Sequence, residues 1–145
     1  KASLFGCDCV LARPRTFMNE SGRAVRAVID YSKAGMDQVL VAYDELDLPP
    51  GTARLKMGGG HGGTNGLRDI FRHTVSQDFM RQRIGIGHPG HKSAVTGYVL
   101  SRPTAEQERS ILDSSDDAAH VLPRVLDGDQ PGAMKELHTE KNNGL

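Results

Sequence analysis

A layered α/β domain built on a central sheet is predicted by three features of this 145-residue chain. Short apolar runs rich in β-branched residues alternate with segments of helical periodicity. A glycine-rich loop joins one such run to the helix that follows it. No internal repeat, low-complexity tract or linker interrupts the series, so residues 1–145 are expected to form a single domain.

The first strand is expected over residues 7–12, ending at Arg13-Pro14, with Leu4-Phe5-Gly6-Cys7 already strand-like. Val25, Val28 and Ile29 fall at i, i+3 and i+4 and predict a helix over 20–33, with Gly35 as its stop. Val39-Leu40-Val41-Ala42-Tyr43 suits a buried central strand. It runs into Asp44-Glu45-Leu46-Asp47, after which Pro49-Pro50-Gly51 forces a turn. A strand over 52–57 leads into the glycine cluster, beyond which Leu67, Ile70 and Phe71 recur at helical spacing. Residues 82–86 form a further strand before Gly87-His88-Pro89-Gly90. Thr104 and Gln107 make a capping-box pattern. It opens a long helix with Ile111, Ala118, Leu122 and Val125 on its inner side, which Pro123 should kink. A last helix starts at Pro131 and carries Met134 and Leu137.

Composition excludes several classes. Hydrophobic residues make up 37% and charged residues 25%, unlike a disordered tail or a membrane protein. No apolar run approaches the roughly 20 residues of a membrane span, and no charged-then-apolar leader opens the chain. A soluble cytoplasmic protein is expected. Eighteen basic residues balance 18 acidic ones. That argues against coating long stretches of nucleic acid but leaves room for a local phosphate site. Cys7 and Cys9 are too few for a disulfide framework and make a weak zinc motif, so they are read as reduced thiols. The chain begins at Lys1 rather than methionine, in strand-like sequence, as a fragment would.

Four stretches carry possible chemistry. The run from Gly58 to Gly63 has five glycines in six residues, leaving backbone amides open to a ligand just before a helix N-terminus; a flexible surface loop would look the same. It matches neither a Walker loop nor the dinucleotide fingerprint. Asp44, at the C-terminal end of a strand, can orient a histidine, or can cap a turn. In Thr16-Phe17-Met18-Asn19, Asn19 can bind substrate or cap the next helix, and Phe17 and Met18 can line a crevice or fill the core. Lys56 and Arg83 flank the glycine loop and can clamp a terminal phosphate, or can be ordinary surface charge.

The four stretches stand together in register. They are Pro14-x-Thr16-Phe17-Met18-Asn19-x-Ser21-Gly22, then the stretch from Asp44 to Gly51. Next come Lys56-x-Gly58-Gly59-Gly60-His61-Gly62-Gly63-x-Asn65-Gly66-Leu67 and Arg83-Ile84-Gly85-Ile86-Gly87-His88-Pro89. In order, spacing and residue type they resemble the bacterial-type peptidyl-tRNA hydrolase family, from about Gly6 to the C-terminal helices. The resemblance implies a single α/β domain with a twisted mixed sheet flanked by helices. It implies an enzyme that hydrolyses the ester joining a peptide to the 3′ ribose of tRNA, with no metal or organic cofactor, acting as a monomer when intact. A histidine would serve as general base, held by the aspartate matching Asp44. Asn19 and Asn65 would bind the 3′ end and the peptide backbone and help place the water or the oxyanion. Phe17 and Met18 would wall the crevice, Gly62 and Gly63 would line it, and Lys56 with Arg83 would contact the acceptor phosphate.

The sequence departs from that pattern at one decisive point. Family members open on a strand ending near Asn-Pro-Gly, followed by a Thr-Arg-His-Asn stretch holding the general base. None of His61, His73, His88, His91, His120 and His138 has that setting. The expectation is a chain lacking the family's N-terminal strand and helix, inactive alone, with exposed apolar sheet edges. Thr64 stands where many relatives carry histidine, and Pro123 is unusual in the long helix. A non-catalytic RNA-binding relative of the same fold is the alternative; retention of Asn19, Asp44 and Asn65 weighs against it.

Overall fold

The computed structural model describes residues 1–140 and shows a mixed α/β architecture. The chain divides into two compact units: Lys1–Leu40 with Met57–Met80, and Val41–Lys56 with the described residues from Arg81 onward.

The first unit opens on a hairpin of β1 (Ala2–Leu4) and β2 (Cys7–Cys9), antiparallel with Ala2 opposite Cys9 and Leu4 opposite Cys7. Phe5 and Gly6 both take positive φ, 51° and 79°, the left-handed pair of a two-residue hairpin turn. In the strand-like stretch from Leu4 to Cys7 the two ends are strand residues and Phe5-Gly6 is a turn, and β2 ends at Cys9, short of residue 12. The cysteines are free thiols.

A 3-10 turn, Met18–Glu20, leads into α1 (Ser21–Ser32). Lys33 closes α1 in a left-handed conformation, its N–H donating to the Ile29 carbonyl at 2.7 Å, so the helix stops before Gly35. α2 (Asn65–Thr74) packs its buried face, Gly66, Leu67, Asp69, Ile70 and Thr74, toward α1 and the unit's core. The approach is close at Gly22, where a methyl group would lie 2.3 Å from the Asp69 carbonyl oxygen and 2.5 Å from His73 Nδ1. Leu67, Ile70, Phe79 and Met80 are buried, and the Phe71 ring meets Phe79 edge-on at 5.9 Å.

Most of the three-stranded sheet belongs to the second unit: β3 (Leu40–Glu45), β4 (Ala53–Met57) and β5 (Met80–Gly85), in spatial order β3-β5-β4. Met80 and Ile86 donate to the carbonyls of Val39 and Glu45, a constant offset that makes β3 and β5 parallel. Gly85 donates to Thr52 and Gly58 to Phe79, a constant sum that makes β5 and β4 antiparallel. The sheet is therefore mixed. The central strand is β5 rather than the apolar run at 39–43. Among the described residues β3 has one neighbour and is only half-buried, its pattern alternating between intermediate and exposed. β5 hides its position in sequence because it buries polar side chains, Arg81 and Gln82.

Gly85 is required at its position: a methyl group there would lie 2.2 Å from the Pro49 carbonyl oxygen and 2.8 Å from those of Leu48 and Thr52. The Pro49-Pro50-Gly51 turn folds directly onto the end of β5, where Gly87 N–H donates to the Leu48 carbonyl. α3 (Val95–Leu100), not anticipated from sequence, is tied to the end of β5 by the Tyr98 hydroxyl, which donates to the Ile86 carbonyl.

The capping box of α4 (Ala105–His120) is formed as expected, with Gln107 N–H donating to Thr104 Oγ1 at 3.1 Å and Thr104 N–H to Gln107 Oε1 at 3.0 Å. Pro123 does more than kink this helix. α4 ends at His120, and a separate α5 (Leu122–Leu126) restarts with the proline in its first turn, where its missing N–H has no helical partner to lose. α6 (Gln130–Glu140) begins one residue before Pro131. Ala53, Leu55, Ala118, Val121, Ala133 and Leu137 form this unit's buried apolar set. Leu55 N–H, on edge strand β4, donates to His138 Nε2 of α6 at 3.2 Å, covering one edge donor.

Candidate active site

Asn19 and Asn65 lie on the same depression. Together with Arg68, Asp69 and Arg72 they line an open depression of about 320 Å³ on the first unit. Asn65 is the first residue of α2, and Asn19 sits in the 3-10 turn ahead of α1; both are exposed. The cap reading of Asn19 is excluded, because the N-cap position of α1 is Glu20 and no side chain bonds there.

Two contacts fix this pairing. Gly66 lies against the 3-10 turn, where a methyl group would stand 2.7 Å from Met18 Sδ. The Asp69 carboxylate accepts the Gly22 N–H at 2.7 Å. That amide is one of the unpaired donors in the first turn of α1, so a carboxylate from α2 does the work that no local cap does. Asp69 is 7% exposed. His73 completes the cluster, its Nδ1 3.0 Å from the Asp69 carbonyl oxygen and 3.5 Å from the carboxylate.

Phe17 and Met18 are not core residues: they are 80% and 53% exposed. Large apolar groups left in water beside a polar depression suit contact with a ligand. The glycine loop is a built turn. Gly62 and Gly63 take φ of 58° and 83°, and Thr64 N–H returns to the His61 carbonyl at 2.9 Å, a conformation that side chains disfavour. Gly63 N–H is already taken by His61 Nδ1 at 2.9 Å, so that amide is not open to a ligand, while both glycines are exposed with free space around them.

Asp44, Lys56 and Arg83 belong to the second unit. Asp44 is exposed near the C-terminal end of β3 and Lys56 is exposed on β4. Arg83, on the strand beside β4, is largely covered; its Nε donates to Glu45 Oε1 at 2.8 Å. Its fork is thus part of an internal ion pair. Tyr43 adjoins this pair. Burial, reinforced by the Glu45 charge, pushes its hydroxyl pKa up, while Arg83 and Arg81 pull it down.

Asp69, Arg68 and Arg72 were missed in the sequence. A signal was available in Arg68-x-x-x-Arg72, a spacing that puts two cations on one helix face. Asp69 gave none, since an aspartate beside Leu67 and Ile70 looks like a surface residue. Among the described residues no group of three or more His, Cys, Asp or Glu side chains could hold a metal ion. No helix there is long and apolar enough to cross a membrane.

A family model described as peptidyl-tRNA hydrolase matches residues 1–144. The peptidyl-tRNA hydrolase of Halorhodospira halophila is 50% identical over 133 residues, covering 92% of this chain and 69% of that protein. The one from Pseudomonas aeruginosa is 54% identical over 144 residues, covering 97% and 73%. A crystal structure of peptidyl-tRNA hydrolase from Acinetobacter baumannii superposes with a TM-score of 0.82 at 42% identity. That match covers 86% of this chain and 63% of the solved one.

Proposed function

Because the chain belongs to the peptidyl-tRNA hydrolase family, we propose that this protein hydrolyses the ester between a peptide and the 3′ ribose of tRNA, releasing the tRNA for reuse. The observation that carries the reading is the pair of carboxamides, Asn19 and Asn65, brought from distant parts of the chain to one depression beside exposed Phe17 and Met18. A carboxamide both donates and accepts, so two of them can grip a peptide bond and still direct an N–H at the ester carbonyl. Negative charge grows on that oxygen as water adds. A donor aimed there is worth about 10²–10³ in rate. Phe17 and Met18 offer apolar surface to the peptide or the terminal base.

The base that removes the water's proton contributes about 10²–10⁴-fold. The resemblance assigns it to a histidine in a Thr-Arg-His-Asn stretch that these 145 residues do not contain. Asp44 is assigned the task of orienting that histidine and stabilising its charged form. Lys56, an exposed point charge on β4, and Arg83 are assigned to the acceptor phosphate; Arg83 would have to share its guanidinium with Glu45. A cytoplasmic monomer needing no metal or organic cofactor completes the proposal.

The test is release of tRNA from a labelled peptidyl-tRNA. A version extended upstream to include the histidine stretch should turn over, and Asn65→Ala in it should lower kcat by about 10²–10³. The 145-residue polypeptide should show no turnover. Turnover by that polypeptide at the extended version's rate, or an Asn65→Ala variant that keeps full activity, would overturn the assignment.

A further inference from the structure

We propose that Arg68 and Arg72 form a phosphodiester-binding pair for the single-stranded 3′ end of the substrate RNA, an inference that rests on the hydrolase reading above. The two arginines stand one turn apart on α2 and line the same depression as Asn19 and Asn65. Like charges at i and i+4 repel and weaken a helix. Three arginines elsewhere do meet carboxylates: Arg26 pairs with Asp30 at 2.9 Å, Arg83 with Glu45, and Arg124 with Glu136 at 2.6 Å and Asp129 at 3.3 Å.

Arg68 and Arg72 make no ion pair among the described residues, and both are exposed. The carboxylate nearest in the depression, Asp69, is buried and committed to the Gly22 amide. The depression therefore offers two unspent guanidinium forks next to two carboxamides. Planar forks of this kind match the paired oxygens of a phosphodiester. The carboxamides suit the neutral, hydrogen-bonding parts of the same ligand: a ribose hydroxyl, a base edge or a peptide bond. A polynucleotide end bearing a peptide presents these groups in sequence, with the phosphates on one side of the ester. The pair would hold the strand in place while taking no part in bond cleavage, so it is a positioning device.

The probe is a fluorescein-labelled single-stranded tetraribonucleotide with a 5′ hydroxyl, so that internal phosphodiesters are its only phosphates. Its affinity is measured by anisotropy against the protein and its Arg68→Gln/Arg72→Gln variant, with Arg26→Gln as a control on α1. Loss of two charge-assisted contacts should weaken binding by tenfold or more, on the order of what such bonds contribute. The slope of log affinity against log salt should fall by about 1.4, at roughly 0.7 per phosphate contact for single strands. The control should bind as the parent does. A second arm measures hydrolysis by the upstream-extended protein. The double variant should raise KM for peptidyl-tRNA with kcat little changed, and should leave a peptidyl ester of adenosine, which has no phosphate, untouched. Unchanged RNA affinity and salt slope in the double variant would overturn the proposal, as would an equal loss on the phosphate-free ester. Absence of any hydrolysis by the unsubstituted upstream-extended protein would instead remove the hydrolase reading, and the anisotropy arm would still decide the arginine pair.

Discussion

Asp69 shows how one side chain can build a site it does not chemically serve. Its carboxylate satisfies the Gly22 amide at the start of α1 and so holds the turn bearing Asn19 alongside the start of α2, which bears Asn65. Removing it leaves a buried N–H without a partner, a loss of about 1–3 kcal/mol. Asp69→Ala should therefore lower unfolding free energy by that amount in urea titrations. Asp69→Asn keeps an acceptor and should recover most of it. Gly22 and Gly66 belong to the same arrangement. Each lets two backbones approach to distances that a methyl group would block.

At the level of elements, the end of β5 and the contact between α6 and β4 carry the clearest consequences. The turn at residues 48–52 closes on Gly85 with three carbonyl oxygens inside 3 Å of where a side chain would begin. Gly85→Ala must push that turn away, at a cost of about 1–3 kcal/mol for overpacking, to be read as a lowered denaturation midpoint. His138 accepts the Leu55 N–H, and burial, then the nearby Arg54 charge, lowers its pKa. A histidine harder to protonate in the fold than in the unfolded chain gives stability that is present above the unfolded pKa of about 6.5. That stability is lost as pH falls from there toward the folded value. The thermal midpoint should thus drop between neutral pH and pH 5 in the parent and drop less in His138→Gln, as followed by circular dichroism across pH.

For the whole molecule, a formal charge of zero sets the kind of nucleic-acid binding available. On the proposed reading, affinity comes from local groups such as Lys56 and the α2 arginines, since a chain of zero net charge is poorly suited to binding by the release of many counterions. Random-sequence duplex DNA should consequently be a poor competitor against tRNA in anisotropy at moderate salt; strong competition would contradict a local site. Much of the architecture was legible in the residues themselves. The periodicity of Val25, Val28 and Ile29, the Thr104–Gln107 capping box and the glycine run before Leu67 each mark an element that formed, because those signals act within a turn or two of backbone. Phe5-Gly6, Arg81 and Asp69 were read wrongly or not at all. Whether Phe5-Gly6 extends or turns depends on what pairs across it, and whether an arginine or aspartate is buried depends on partners far along the chain. The sequence by itself determined the family and the α/β class, and it singled out the two carboxamides that the structure brings to one depression. Only the tertiary structure decided that β5 is central, that Arg83 is already paired and that Arg68 and Arg72 flank Asn19 and Asn65. Burial and charge pairing are properties of neighbours in space, and linear spacing carries them only where the neighbours share a helix or a turn.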